Sequence, residues 1–182
     1  MTDKPKSVYM NGAEDGLVLG PVMALTMVLI GASTYVPWLS AFGLAGIVAV
    51  PVIAYIRLSA SYRAGSYSAT FSALWLQGIC MFFFGGLLMS LVLFVLMRWA
   101  FPSFIMHQVD TAISIYSDAG SPAATEIARA LETLKDTGAL PTPLDVVLEM
   151  LYAAVFTGSI LSMVYAFILR RRRPQPPKYT DL

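Results

Sequence analysis

The sequence has few charged residues. Lysine, arginine, aspartate and glutamate make up 13% of the 182 residues, whereas about 25% is usual in a soluble domain. The deficit excludes an ordinary soluble domain, and the mean hydropathy of +0.69 agrees with this. The apolar residues fall in long uncharged blocks, as in helices that cross a bilayer. The sequence therefore predicts an integral membrane protein.

Residues with metal-binding or nucleophilic chemistry are also scarce. Cys80 is the only cysteine and His107 the only histidine, so neither an intramolecular disulfide nor a zinc cluster is expected. We interpret Cys80 as a small apolar filler. His107 and Asp110 would meet on a helix, but a metal or acid/base site needs more groups than this pair, so a solvated surface pair is preferred. The chain also has no Walker or dinucleotide motif, which predicts a protein without cofactor or enzymatic activity.

Four apolar blocks are long enough to cross a membrane, at about 16–36, 39–56, 71–101 and 147–169. Each has, or comes close to, the ~20 residues that a spanning helix requires. Their central parts contain no formally charged residue, and Gln77 is the most polar side chain expected at depth. We expect an all-α four-helix membrane bundle that forms a single domain over residues 1–182, with no room for a separate catalytic domain.

The positive charges predict the orientation. Nine lysines and arginines lie in segments that share one side of a four-span protein: Lys4, Lys6, Arg57, Arg63, Arg170, Arg171, Arg172, Arg173 and Lys178. The other side has three, namely Arg98, Arg129 and Lys135. The positive-inside rule therefore predicts cytoplasmic N- and C-termini. In the basic tail, 170–182, the four consecutive arginines are expected to hold the end of the fourth span at the anionic inner leaflet, each contributing ~1 kcal/mol.

The segment at about 102–142 is expected to form an extracytoplasmic amphipathic helical hairpin between spans three and four. Ser121 and Pro122 are a typical helix start and Gly138 a typical end. A shorter helix at about 103–117 is predicted before them. The preferred interpretation is a hairpin that lies on the membrane surface or on the ends of the spans. The alternative is a docking face for an extracytoplasmic partner.

Small residues spaced by four form ridges on three spans. These are Gly12, Gly16, Gly20 and Ala24; Ala41, Ala45 and Ala49; and Ala154, Gly158, Ser162 and Ala166. Close approach of helices in lipid depends on such residues. We expect the ridges to meet inside the monomer, and the alternative is that one of them forms a homodimer.

Three residues are candidate hinges. Pro51 removes a backbone hydrogen bond within span two, so a kink is expected there. Gly85 and Gly86 lie in the middle of span three, which would extend ~46 Å if straight and must tilt, bend or project from the ~30 Å hydrocarbon core. Simple packing is preferred over a hinge at these positions.

The start of span three resembles a known family. Gly65, a Thr70–Phe71 pair, an aromatic residue at Trp75 and Gly78 occur in that order. This pattern resembles the entry to span three in a family of bacterial four-span membrane proteins of unknown function, DUF4199, which is widespread in the Bacteroidetes. Trp75 stands where that family more usually has phenylalanine.

The resemblance extends over nearly the whole chain, through Phe101, Pro102 and Phe104, the acidic outer helix and the basic end. It implies a four-helix protein of the bacterial inner membrane and no established activity. It also implies an accessory role beside a family 2 glycosyltransferase.

Two functions remain open from the sequence. The first is a non-enzymatic scaffold or accessory subunit of a membrane complex, in contact with membrane lipids and with a membrane protein partner or further copies of itself, and without nucleic acid. The second is a transporter of small molecules or lipid-linked substrates that acts as an oligomer, with a mobile cavity near Gln77.

Overall fold

A computed structural model describes residues 7–64 and 69–171 of the chain. This part of the chain is helical and has no β-strand. Its helices are α1 (Val8–Ala32), α2 (Leu39–Ala64), α3 (Phe71–Val95), α4 (Phe104–Asp118), α5 (Pro122–Asp136) and α6 (Pro143–Arg171). A π-helical turn, Leu96–Ala100, directly follows α3.

Four of the helices are long and apolar enough to cross a membrane: α1, α2, α6, and α3 with part of the π-helical turn. The prediction of an all-α, multi-pass membrane protein is confirmed. The bounds of the spans differ from those predicted: α1 begins at Val8 and ends at Ala32, α2 continues to Ala64, and α6 already begins at Pro143. The added segments contain Asp15, which directly precedes the predicted first span, and Arg57, which directly follows the predicted second span.

The chain divides into two compact units. The bundle unit consists of Met1–Met89 and Leu151–Leu182, and therefore holds α1, α2 and most of α3 and α6. The hairpin unit is Ser90–Met150 and contains α4 and α5.

In the bundle unit, the glycine ridge of α1 packs against α3. A Cβ atom added at Gly16 would lie 2.8 Å from the carbonyl oxygen of Met81 and 2.8 Å from Cβ of Phe84. At Gly20 it would lie 2.9 Å from Cβ of Leu88. These distances are too short for a side chain, so glycine is what allows the two backbones to approach. The prediction that this ridge meets another helix inside the monomer is confirmed.

The ridge of α6 also packs inside the bundle unit. Gly78 of α3 lies directly against the Ser162 side chain, and Gly158 lies directly against the ring of Phe82. Ser162 and Ala166 are both fully buried. The ridge prediction is therefore confirmed for α6 as well.

The alanine ridge predicted on α2 is wrong as an internal contact. Ala41 and Ala45 are exposed and Ala49 is half-buried, whereas Gly43 and Gly46 of α2 lie directly against α1. A Cβ atom at Gly43 would lie 2.7 Å from Cγ1 of Ile30. Glycines spaced by three, and not alanines spaced by four, therefore form this helix contact.

The candidate hinge residues lie in packed surroundings. Pro51 is inside α2, which continues through it, and its carbonyl oxygen accepts a 3.0 Å hydrogen bond from the Tyr165 hydroxyl. A Cβ atom at Gly85 would lie 3.3 Å from the carbonyl oxygen of Gly16, and one at Gly86 would lie 3.1 Å from Leu151. These contacts favour the packing interpretation, and hinge motion at the three positions stays a prediction.

The hairpin unit follows the helix signals of the sequence. The Ser121 hydroxyl accepts a 3.2 Å hydrogen bond from the Ala124 amide at the start of α5, and Gly138 has the positive φ of 68° typical of a residue just past a helix end. Asp110, which was expected beside His107, accepts a 2.6 Å hydrogen bond from Lys135 and so joins α4 to α5. The Asp110 carboxylate raises the pKa of Lys135.

Candidate functional site

A carboxylate is buried in the bundle unit. Asp15 of α1 is only 5% exposed, and it is the one acidic residue among the buried polar residues of the described part of the chain. A charged side chain in an apolar environment is costly unless it is paired and hydrogen-bonded. The partners of Asp15 therefore determine what this part of the bundle can do.

Three side chains bind the Asp15 carboxylate. Its Oδ1 atom accepts a 2.9 Å hydrogen bond from Nε of Arg57, which also forms an ion pair with it. Its Oδ2 atom accepts hydrogen bonds from Nε2 of Gln77 at 3.1 Å and from the Ser61 hydroxyl at 3.4 Å. We call these four residues the Asp15 cluster. The cluster joins α1, α2 and α3 through one carboxylate.

Local sequence explains why these residues meet. Gly12 and Gly16 flank Asp15 on the side of α1 that contacts α3, and a Cβ atom at Gly12 would lie 2.8 Å from the carbonyl oxygen of Gln77. The close approach of α1 and α3 thus brings Gln77 within reach of the carboxylate. Arg57 and Ser61 are four residues apart on α2, so their side chains lie on the same helix face and reach the same carboxylate.

The central parts of the predicted spans contain no charged residue, but the longer helices of the structure include two charged residues nearer their ends. Asp15 lies inside α1, and Arg57, which was expected to close span two, lies inside α2, seven residues before its end. The physical reason is the pairing itself, since an ion pair with additional hydrogen bonds offsets the cost of removing the carboxylate from water. The sequence did contain a signal, because Asp15 directly precedes Gly16 within the glycine ridge and so lies near the helix contact.

The described residues of the family motif are not part of the Asp15 cluster, and they form the start of α3 and its contact with α6. The Thr70 hydroxyl accepts a 3.3 Å hydrogen bond from the Ala73 amide at the start of α3. Trp75 donates a 3.2 Å hydrogen bond from Nε1 to the carbonyl oxygen of Ser159 on α6. The Phe71 ring lies 6.5 Å from the Trp75 ring, and Gly78 contacts α6 as described above. Gly65 lies outside the described residues.

The position of Trp75 gives a testable prediction. Replacing Trp75 with phenylalanine keeps an aromatic ring but removes the donor to Ser159, so we expect a loss of about 1 kcal/mol in the free energy of unfolding in detergent. The matched control is Trp99→Phe, because Trp99 is 75% exposed. Equal effects of the two substitutions would show that the hydrogen bond to α6 contributes nothing.

The predicted anchor at the end of α6 is described only in part. Arg170 and Arg171 are exposed in the last turn of the helix, and the Arg171 guanidinium lies 4.8 Å from the centre of the Phe167 ring. Arg172 and Arg173 lie outside the described residues. Binding of these arginines to the membrane surface stays a prediction.

Comparison with known proteins gives one family. A family model described as "Protein of unknown function (DUF4199)" matches residues 14–171, which is most of the chain and includes the whole Asp15 cluster. No curated protein matches the chain. No solved structure matches it either.

Proposed function

Since this chain belongs to the DUF4199 family of proteins of unknown function, we propose its function from its own geometry: a non-enzymatic scaffold or accessory subunit of a membrane complex. The observation that carries this proposal is the Asp15 cluster, in which both carboxylate oxygens are used to join three helices. A carboxylate used in this way fixes the arrangement of α1, α2 and α3. A fixed helix arrangement suits a protein that presents surfaces to a partner.

Other buried polar groups of the bundle unit support the same function. The Thr26 hydroxyl donates a 2.7 Å hydrogen bond to the carbonyl oxygen of Val22, and the Ser162 hydroxyl donates a 2.6 Å hydrogen bond to that of Gly158. Both bonds stay within one helix, so these hydroxyls are not oriented toward a shared path. The close contact at Gly16 leaves no space for a substrate between α1 and α3 at that level.

The proposed location is the bacterial inner membrane, with both termini in the cytoplasm. The described spans are four in number, and an even number puts both ends of the chain on one side. The excess of lysine and arginine in the terminal tails and the second connection assigns that side to the cytoplasm. The Asp15 cluster would then lie toward the cytoplasmic ends of α1 and α2.

The proposed partner is another membrane protein, with further copies of this chain as the alternative. The hairpin unit offers exposed acidic side chains on α5, including Glu126 and Glu132. These side chains would form the contact surface on the outer side. The family resemblance makes a family 2 glycosyltransferase the first partner to test.

Copurification tests this function. The full chain is tagged at its C-terminus and purified from native membranes in mild detergent. We expect one membrane protein to copurify with it at constant stoichiometry. The variant Glu126→Lys/Glu132→Lys reverses two exposed charges of α5, so it should reduce the recovered partner at least about tenfold. Glu149→Lys, an exposed change on α6 outside the two hairpin helices, is the control and should keep the partner.

The transporter function is the second candidate, and one observation favours it. Ionisable groups inside a membrane bundle are often functional, and Asp15, paired with Arg57 and hydrogen-bonded by Gln77, is such a group. The same purification separates the two functions. A homo-oligomer that carries a bound small molecule, with no other protein at constant ratio, would contradict the accessory function and support transport.

A further inference from the structure

Arg57 uses only part of its hydrogen-bonding capacity within the Asp15 cluster. Its Nε atom donates to Asp15, while the two terminal nitrogens have no acceptor among residues 7–64 and 69–171. A guanidinium has five N–H donors and keeps its charge at every relevant pH. The Arg57 side chain is 40% exposed, in contrast to 7% for Asp15. The outer edge of the guanidinium is therefore available to a ligand that accepts hydrogen bonds.

The surroundings of Arg57 indicate that the exposed edge of its guanidinium faces the lipid. Val52 and Ile56, five residues and one residue before it on α2, are 51% and 56% exposed apolar residues, as expected of a lipid-facing helix surface. Arg57 precedes the end of α2 at Ala64 by about 10 Å at 1.5 Å per residue. A helix the length of α2 is longer than the ~30 Å hydrocarbon core. An arginine side chain at this depth extends along the helix to the level of the lipid headgroups.

Further positive charges lie at the same end of the bundle unit. The Tyr55 and Tyr165 rings contact each other, with their centres 5.5 Å apart, so α2 and α6 are neighbours at this level. Beyond this contact both helices run toward their C-terminal ends, where Arg63 and Arg170 are exposed. These charges make the potential at this end positive, although Asp15 neutralises the charge of Arg57 itself.

We propose that Arg57 binds the phosphate group of an anionic phospholipid through its two terminal nitrogens, while Asp15 holds the guanidinium in place. The planar guanidinium matches two phosphate oxygens, which makes arginine a suitable ligand for this group. Arg63 and Arg170 favour a lipid with net negative charge over a zwitterionic one. Asp15 is a positioning residue, since it acts on the lipid only through Arg57. This inference does not depend on the proposed accessory function.

The test measures lipid binding to the purified full chain in mild detergent, by native mass spectrometry and by the shift of the unfolding temperature. Phosphatidylglycerol, phosphatidylcholine and inorganic phosphate are added separately. We expect phosphatidylglycerol alone to remain bound and to raise the unfolding temperature. The variant Arg57→Lys keeps the charge but loses the planar pair of donors, and it should bind phosphatidylglycerol at least about tenfold more weakly. Arg129→Gln, which removes an exposed arginine of α5, outside the bundle unit, is the control and should retain the binding.

Asp15→Asn tests the positioning part. Its added net positive charge alone would strengthen phosphatidylglycerol binding, but the guanidinium is no longer held in place, so we expect weaker binding that, unlike in the unaltered protein, is lost in about 1 M salt. A change in stability alone would not alter this salt dependence. Unchanged phosphatidylglycerol affinity in Arg57→Lys would overturn the proposal. Stabilisation by inorganic phosphate as strong as that by phosphatidylglycerol would also overturn it, because the ligand would then be the free ion.

A measurement on the unaltered protein covers the case in which a variant does not fold. At about 1 M salt the Debye length is about 3 Å, so a diffuse attraction to the basic end of the bundle is screened. A lipid phosphate held by Arg57 should remain bound under these conditions. Complete loss of phosphatidylglycerol in high salt would contradict a defined site.

Discussion

Replacing Arg57 with leucine is expected to lower the free energy of unfolding of the bundle by about 3 kcal/mol. The substitution leaves the Asp15 carboxylate buried with only Gln77 and Ser61 as partners. Removing one member of a buried ion pair costs about 3–5 kcal/mol, and the lower value applies because the Arg57 side chain is 40% exposed. Unfolding in mixed micelles with increasing sodium dodecyl sulfate, followed by circular dichroism, measures this loss.

The double variant Asp15→Leu/Arg57→Leu shows whether the stability lost in Arg57→Leu comes from the buried, unpaired Asp15 carboxylate or from a general loss of packing. With both charges removed no ion is left unpaired, and apolar replacement of a buried pair is often neutral. We therefore expect the double variant to recover more than half of the stability lost in Arg57→Leu. Arg63→Leu, an exposed change near the end of the same helix, should alter stability by less than about 0.5 kcal/mol. A double variant as unstable as the single one would refute the argument.

The Asp15 cluster also shows what the sequence could and could not predict about the site. A hydropathy block begins after the last charged residue, so Asp15 was placed just outside span one and Arg57 at the end of span two. Whether such residues lie in water or inside a bundle depends on partners that are distant in sequence, here Gln77 of α3. A local sequence pattern does not show which distant residue will be the partner. The position of Asp15 next to Gly16 indicated only that the carboxylate lies near a helix contact.

The positions of most helices depend on local sequence signals and could therefore be predicted. The four spans follow from apolar length, which the bilayer sets. The limits of α5 follow from the Ser121 cap and from Gly138. The π-helical turn Leu96–Ala100 after α3 has no comparable local signal and was missed. The predicted anchor residues act through contact with the membrane and the predicted hinges through motion. The fold alone determines neither of these.

The wrong ridge on α2 has a simple physical reason. A spacing of four shows that small residues share a helix face, but it does not show what that face contacts. Alanine methyl groups are compatible with lipid, so Ala41 and Ala45 can be exposed. Gly43 and Gly46 offer no side chain at all, and they therefore allow α1 to approach more closely than alanines would.

Gly16→Val is the second substitution with a large expected effect, a loss of about 2–3 kcal/mol in the free energy of unfolding. The new Cβ atom would lie 2.8 Å from the carbonyl oxygen of Met81 and from Cβ of Phe84, and the first of these is backbone that cannot rotate away. Overpacking of this kind costs about 1–3 kcal/mol. Because Asp15 is the adjacent residue, separating α1 from α3 also lengthens its 3.1 Å hydrogen bond to Gln77.

Ala45→Val is the matched control for Gly16→Val, since it adds apolar volume to a small-residue ridge that is exposed in the monomer. It should change the stability of the monomer by less than about 0.5 kcal/mol. The same detergent titration, together with the oligomeric state of each variant, measures both effects. A large loss in Ala45→Val together with dissociation of an oligomer would identify α2 as an interface between copies. No loss in Gly16→Val would mean that the glycine contact does not stabilise the bundle, and the Asp15 cluster would then have to hold α1 to α3 alone.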